Sequence, residues 1–246
     1  MIVILCHPGD DAALWLAATM RELGGAGIEL VTVEELVYSR RIVFRSNDDG
    51  DSGSIALADG RTLRAETIAG LVNRVSYLPT QHFARAPAED RAYAEAELNA
   101  FLMAWINGVA GRVINPPLPA ALGGGTFPLP TLMHLAAMAG LPTHGWRASA
   151  AAGNDAGDDA TPRWPTTHAA VVFDSRIFGM LLPRAFQDGC RRLAAMAGTP
   201  LLQVEFNQSE RDGFRFVGAT GAVDFRIGGK ALARDLARAF ARSAAA

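Results

Sequence analysis

The sequence predicts an α/β protein in which an N-terminal parallel α/β layer is followed by a smaller α+β unit. Three observations predict it. The apolar run Ile2–Cys6, a helical stretch and a second apolar run at 28–33 form a βαβ opening. Residues 148–165 are dominated by alanine, glycine, aspartate and proline and show no apolar period, as a linker does. Beyond them the order strand, strand, helix, strand, strand, helix fits an antiparallel sheet with helices on one face. The expected domains are therefore 1–147 and 166–246, joined by a linker at 148–165.

In chain order, Asp10 or Asp11 caps a first helix that carries Leu14, Ala17, Ala18 and Leu23 and is closed by Gly24-Gly25. Residues 42–45 and 54–57, with a polar turn between them, form a hairpin, and Asp59-Gly60 makes a tight turn. A strand at 68–73 precedes a long helix at 89–107, where Tyr93, Leu98, Phe101, Leu102 and Trp105 recur near helical spacing and acidic residues occupy the first turns. The strand 112–114, a loop rich in proline and glycine, and a helix at 131–139 closed by Gly140 complete this half. After the linker come two strands around Asp174-Ser175, a helix at 184–197, strands at 201–207 and 214–217, and a terminal helix at 230–241. That last helix sets Lys230, Arg234, Arg238 and Arg242 in a basic stripe opposite Leu232, Leu236 and Phe240.

Composition narrows the class. A chain of 246 residues, half of them apolar, can bury a sizeable core and is not wholly disordered. A formal charge of -2 gives no general attraction to nucleic acid or to anionic membranes, so neither is expected as a partner. The apolar runs fall far short of the roughly 20 residues that span a bilayer. No basic, apolar and small-residue leader pattern opens the sequence, which gives a cytoplasmic expectation. Cys6 and Cys190 read as reduced, buried thiols. Lys230 is the only lysine.

Several segments together resemble the ATP-grasp superfamily, in particular its peptide-ligase-like branch. Leu71-Val72-Asn73-Arg74, the run Asp90-Arg91-Ala92-Tyr93-Ala94-Glu95-Ala96-Glu97-Leu98 and Val113-Ile114-Asn115-Pro116-Pro117 are similar to the N-terminal domain of that family. Leu135-Ala136-Ala137-Met138-Ala139-Gly140-Leu141-Pro142 resembles the helix leading to its nucleotide domain. Leu193-Ala194-Ala195-Met196-Ala197-Gly198-Thr199-Pro200-Leu201-Leu202-Gln203-Val204-Glu205-Phe206 resembles the helix and strand that deliver a magnesium carboxylate. The resemblance implies a pre-ATP-grasp-like first domain and a reduced ATP-grasp-like second one.

The departures from the pattern bear on activity. Between Pro142 and Val171 the resemblance implies two strand-borne lysines that contact phosphates and adenine, whereas here the interval is short and holds none. Where it implies Glu-x-Asn, this chain runs Val217-Gly218-Ala219-Thr220-Gly221, which leaves Glu205 alone at a matching metal position. Phosphoryl transfer depends on positioned cations, and nucleotide-bound magnesium on carboxylates as well as phosphates. No catalytic residue, metal-ligand set or cofactor is assigned on this basis. The expectation is a catalytically degenerate ATP-grasp-like protein that binds a partner enzyme or a peptide, in peptide modification or natural-product biosynthesis, with homo-oligomerisation left open.

Two alternatives stand beside it. The first is an ATP-grasp-type carboxylate-amine ligase completed by another subunit. The second is a zinc-dependent deacetylase-like hydrolase, because Cys6-His7-Pro8-Gly9-Asp10-Asp11 resembles the His-Pro-Asp-Asp run of that family with one glycine inserted. The candidate ligand cleft comprises His7, Asn73, Arg74 and Asn115, which follow strands where open α/β sheets bind ligands, together with Glu205. Gly123-Gly124-Gly125 lies at the same strand ends. The plainer alternative makes the glycines a turn, pairs Arg74 with a surface acid and leaves Asp10 or Asp11 as a helix cap.

Overall fold

The computed structural model describes residues 1–25, 27–47, 50–118, 121–124, 127–145, 164–209 and 213–243. The chain divides into two compact units, one formed by Met1–Gly125 with Gly229–Ala246 and the other by Thr126–Gly228. No helix among the described residues is long and apolar enough to cross a membrane.

The first unit opens as its sequence predicts, with β1 (Ile2–Cys6), α1 (Asp11–Glu22) and β2 (Ile28–Thr32). The α1 face differs from the expected one. Ala12, Ala13, Leu16, Ala17 and Met20 are buried, whereas Leu14 is exposed. The Asp10 cap fixes where the helix begins, and so selects which of two overlapping apolar stripes meets the sheet. Thr32 and Glu35 form a reciprocal capping box that ends β2 and starts a short helix, α2 (Val33–Val37), one residue inside the expected strand.

Next come β3 (Arg41–Asn47), β4 (Gly50–Ala56) and β5 (Thr62–Arg64), a three-stranded antiparallel sheet in place of the expected hairpin. Then follow β6 (Gly70–Asn73), α3 (Ala88–Asn107) and β7 (Arg112–Ile114). The parallel sheet has the order β2-β1-β6-β7. The connections β1-α1-β2 and β6-α3-β7 run outward in opposite directions, and right-handed crossovers therefore put α1 and α3 on opposite faces. Val3, Leu5, Val31 and Leu71 pack with Leu102, Trp105 and Ile106 of α3 and with Ile55 and Leu63 of the small sheet. The Trp105 indole donates to the Gly53 carbonyl at 3.3 Å, tying α3 to β4.

The second unit begins with α4 (Leu129–Met138), then β8 (His168–Phe173), β9 (Arg176–Gly179), α5 (Arg184–Met196), β10 (Leu201–Ser209) and β11 (Gly213–Thr220). The sheet order is β11-β10-β8-β9, antiparallel throughout. Asp174 and Ser175 both take positive φ, the geometry of a two-residue hairpin. Leu132, Met133 and Ala136 of α4 and Cys190 and Leu193 of α5 bury one sheet face through Leu202, Val204, Phe206 and Phe216. Both thiols are free and buried, and burial pushes Cys6 to about 11 and Cys190 to about 12.

The division differs from the expected one at both ends of the second unit. The linker expected at 148–165 lies outside the described residues except for 164 and 165. The final helix, α6 (Phe225–Ser243), breaks at Gly229, and everything beyond that residue groups with the first unit. Its Phe240 is buried against Gly70 of β6, where a Cβ would stand 2.2 Å from the ring. The stripe of Lys230, Arg234, Arg238 and Arg242 is exposed, as its spacing predicts.

Gly70→Ala should therefore overpack this contact and lower the stability of the first unit by about 1–3 kcal/mol. Urea unfolding monitored by tryptophan fluorescence measures it.

Candidate functional site

β1 has β2 on one side and β6 on the other, so the loops that leave the carboxyl ends of β1 and β6 diverge to opposite faces of the sheet. Open α/β sheets bind ligands at such a switch point. His7 and Asp10 come from the loop after β1, and Arg74, Ser76 and Tyr77 from the loop after β6.

Arg74 grips Asp10 with two hydrogen bonds, Nε to Oδ2 at 2.7 Å and Nη2 to Oδ1 at 3.0 Å. Their side chains are only 8% and 14% exposed. Asp10 Oδ1 also accepts from the Ala13 amide at 3.0 Å, capping α1. Burial by itself would raise this carboxyl, but the hydrogen bonds and charge of Arg74 and the helix amides outweigh it and hold the group below the usual carboxylate range. Arg74 thus bonds an acid at the mouth of the sheet, where the ligand reading had it reaching for a substrate.

His7 is half-buried, stacked on Tyr77 with ring centroids 4.3 Å apart. Its Nε2 accepts from the Ser76 amide at 3.1 Å and lies 3.0 Å from the Ser76 hydroxyl. An amide donor at Nε2 places the ring proton on Nδ1. Burial lowers the His7 pKa and keeps the ring neutral, against the opposite pull of Glu34 and Asp10. The zinc reading fails on these atoms: the Nε2 lone pair is occupied by Ser76, and the Asp10 oxygens are occupied by Arg74 and the helix cap. Among the described residues, no three His, Cys, Asp or Glu side chains converge to hold a metal.

Asn73 and Asn115 are interior residues and do not line a cleft. Asn73 donates to the carbonyls of Asn115 at 3.0 Å and Leu122 at 2.6 Å, and accepts from the Val75 amide at 3.2 Å. Asn115 is 2% exposed with φ 57, a left-handed conformation that asparagine tolerates. Gly124 has φ 64, and a Cβ there would stand 2.7 Å from the Pro116 carbonyl oxygen, so the glycine run serves a tight return over the Asn115 turn. Gly125 lies outside the described residues.

The sequence reading missed the groove beside His7. A cavity of about 380 Å³ is lined by Ser76, Tyr77, Thr80, Glu95, Asn99 and Leu118, among others. Tyr77 is 57% exposed. Two signals for this groove were present in the sequence. A hydroxyl and an aromatic ring lie three and four residues past the strand end, and Glu95, Asn99 and Met103 repeat every four residues along α3, off the stripe of Leu98, Leu102 and Trp105 that meets the core.

Glu205 belongs to the second unit. It stands on β10 opposite Gly218 of β11, with Oε1 accepting from Gln203 Nε2 at 2.8 Å and Oε2 from the Thr166 hydroxyl at 3.1 Å. Strand alternation turns it and Gln203 away from the face that holds Val204 and Phe206.

No family model and no curated protein sequence matches the chain. Solved structures match it over nearly its whole length. The macrocyclase MdnC from Microcystis aeruginosa MRC, bound with precursor peptide MdnA, superposes with a TM-score of 0.70 at 12% identity, covering 96% of this chain and 99% of that one. The fold is that of the ATP-grasp ligases. A RiPP-associated ATP-grasp ligase of Chryseobacterium gregarium, in complex with ADP and a leader and core peptide, gives 0.67 at 10% identity, with 96% of each chain covered. The ATP-grasp ligase PsnB, complexed with a minimal precursor, Mg and ADP, gives 0.67 at 15% identity and covers 100% of this chain and 98% of its own. At these identities the likeness establishes the ATP-grasp fold alone.

Two outcomes are expected at the sheet mouth. Arg74→Met strands the Asp10 carboxylate and should cost about 2–4 kcal/mol in chemical denaturation. Because the folded Asp10 value is depressed, its contribution is present above the ordinary carboxylate pKa of about 4 and is lost as pH falls through the folded value, so the variant should lose stability less steeply in acid. For His7, imidazole NMR should show the Nδ1–H tautomer and a midpoint below about 6.5.

Proposed function

We propose that this chain is an ATP-grasp-like binding subunit in peptide modification, which holds a peptide or a partner enzyme and does not itself transfer phosphoryl groups. The supporting observation is the place of its sole lysine. Lys230 lies on α6, in the first unit, with Nζ 3.0 Å from Glu22 Oε2. The second unit, which carries the four-stranded antiparallel sheet and Glu205, has no lysine at all. A developing metaphosphate needs cations aimed at its oxygens, and arginine does not reproduce lysine's compact point charge. Glu205, with Gly218 and Thr220 opposite it and Gln203, supplies a single carboxylate for a metal that needs several oxygen ligands.

The peptide part of the reading rests on the fold. Neighbours with this fold were solved with precursor, leader or core peptides, and the first unit offers a groove at the switch point with an exposed tyrosine, hydroxyls and one carboxylate. His7 braces Ser76 and Tyr77 from behind, and Tyr77, Asn99 and Glu95 contact the ligand. An oriented Glu205 favours a second reading, in which another subunit supplies the missing cations.

Calorimetric titration with ATP, with and without magnesium, should show no saturable binding and no phosphate release. Saturable binding followed by ADP formation in the isolated chain overturns the proposal. Turnover only on mixing with a co-purifying partner establishes the second reading.

A further inference from the structure

The small sheet of the first unit has a second, outward face. Register puts Arg41 opposite Ala56, Val43 opposite Ser54, and Arg45 opposite Ser52, while Arg64 on β5 also lies opposite Ser54. Directly paired residues share a face, so Arg41, Arg45, Ser52, Ser54 and Arg64 all point the same way. The reverse face is core, with Ile55 and Leu63 against Trp105. Over the polar face lies a cavity of about 300 Å³ whose charged lining is Arg41, Arg45, Arg64 and Glu66. Among the described residues, three guanidiniums therefore face one carboxylate.

Nearby Arg61 shows what satisfied arginine looks like in this unit, with Glu29, Glu35 and Asp59 all bonded to it. Arg41, Arg45 and Arg64 are exposed and form no ion pair with any described residue. Their spacing fits an extended chain. Arg41 and Arg45 are four residues apart on β3, about 13 Å, and β5 lies two strands away, about 10 Å. Acidic side chains on alternate residues of an extended peptide recur about every 7 Å and so reach both arginines of β3 from one face. The serine hydroxyls between them donate hydrogen bonds to the same carboxylates.

We infer that the outer face of β3-β4-β5 is a docking site for an acidic peptide segment in extended form, gripped through its carboxylates by Arg41, Arg45 and Arg64. The inference deepens the peptide-binding reading, at a surface distinct from the groove beside His7. Charge complementarity selects this occupant, because guanidiniums pair carboxylates in a planar, bidentate manner.

Fluorescence anisotropy of fluorescein-labelled hexaglutamate with the full chain tests it. Binding should weaken about tenfold in Arg41→Ala/Arg45→Ala/Arg64→Ala and on raising salt. It should not change in Arg234→Ala/Arg238→Ala/Arg242→Ala, which removes equal charge from α6. Arg64→Glu alone, a single exposed change, should also weaken it, and hexaglutamine should not bind. No binding by the unmodified chain, equal weakening in both triple variants, or displacement by inorganic phosphate as effective as by unlabelled hexaglutamate overturns the inference. ATP turnover alongside intact hexaglutamate discrimination removes only the noncatalytic reading.

Discussion

The pairing of Arg74 with Asp10 joins the carboxyl ends of β1 and β6 and at the same time caps α1. Each role supports the other. The cap orients the carboxylate, the carboxylate fixes the guanidinium, and the guanidinium holds the segment that carries Ser76 and Tyr77 beside His7. A charge pair buried to this degree is little better than neutral in energy, and its value lies in admitting one arrangement of two loops at the place where the sheet diverges.

The second unit is built on a different economy of charge. Its apolar face is closed by α4 and α5, while the opposite face of β10 presents Gln203 and Glu205 in a short polar row. Gln203 also accepts from the Asp224 amide, so the row is anchored to the segment leading into α6. The Glu205 carboxylate is thus held in one orientation by an amide on one oxygen and a hydroxyl on the other.

Periodicity made most strands and helices legible, because a period of two or 3.6 is visible wherever one face is buried. The failures have local physical causes. Alanine is apolar enough to sit on either side of α1, so the pattern offers Leu14 a core position that Leu16 holds. The Thr32-x-x-Glu35 box was present in the sequence but lies inside an apolar run, which concealed a helix start. Asn73 and Asn115 were placed correctly at strand ends, but a strand end does not reveal whether an amide faces solvent or a neighbouring carbonyl. The Arg74–Asp10 partnership spans 64 residues, a separation at which sequence pattern carries no pairing information. The grouping of α6 with the first unit is equally nonlocal, since it depends on the vacancy that Gly70 leaves for Phe240.

The return of the chain past Gly229 makes the second unit an insertion within the first. During synthesis the inserted unit is complete while its host still lacks the helix that fills the space over β6. Domains that are continuous in sequence can fold in order of emergence, but here β6 waits for a helix that follows the inserted unit. Until Phe240 arrives, the space beside Gly70 of β6 has no side chain to fill it. A nascent chain halted just past Gly228 would thus hold a complete middle and an unfinished beginning.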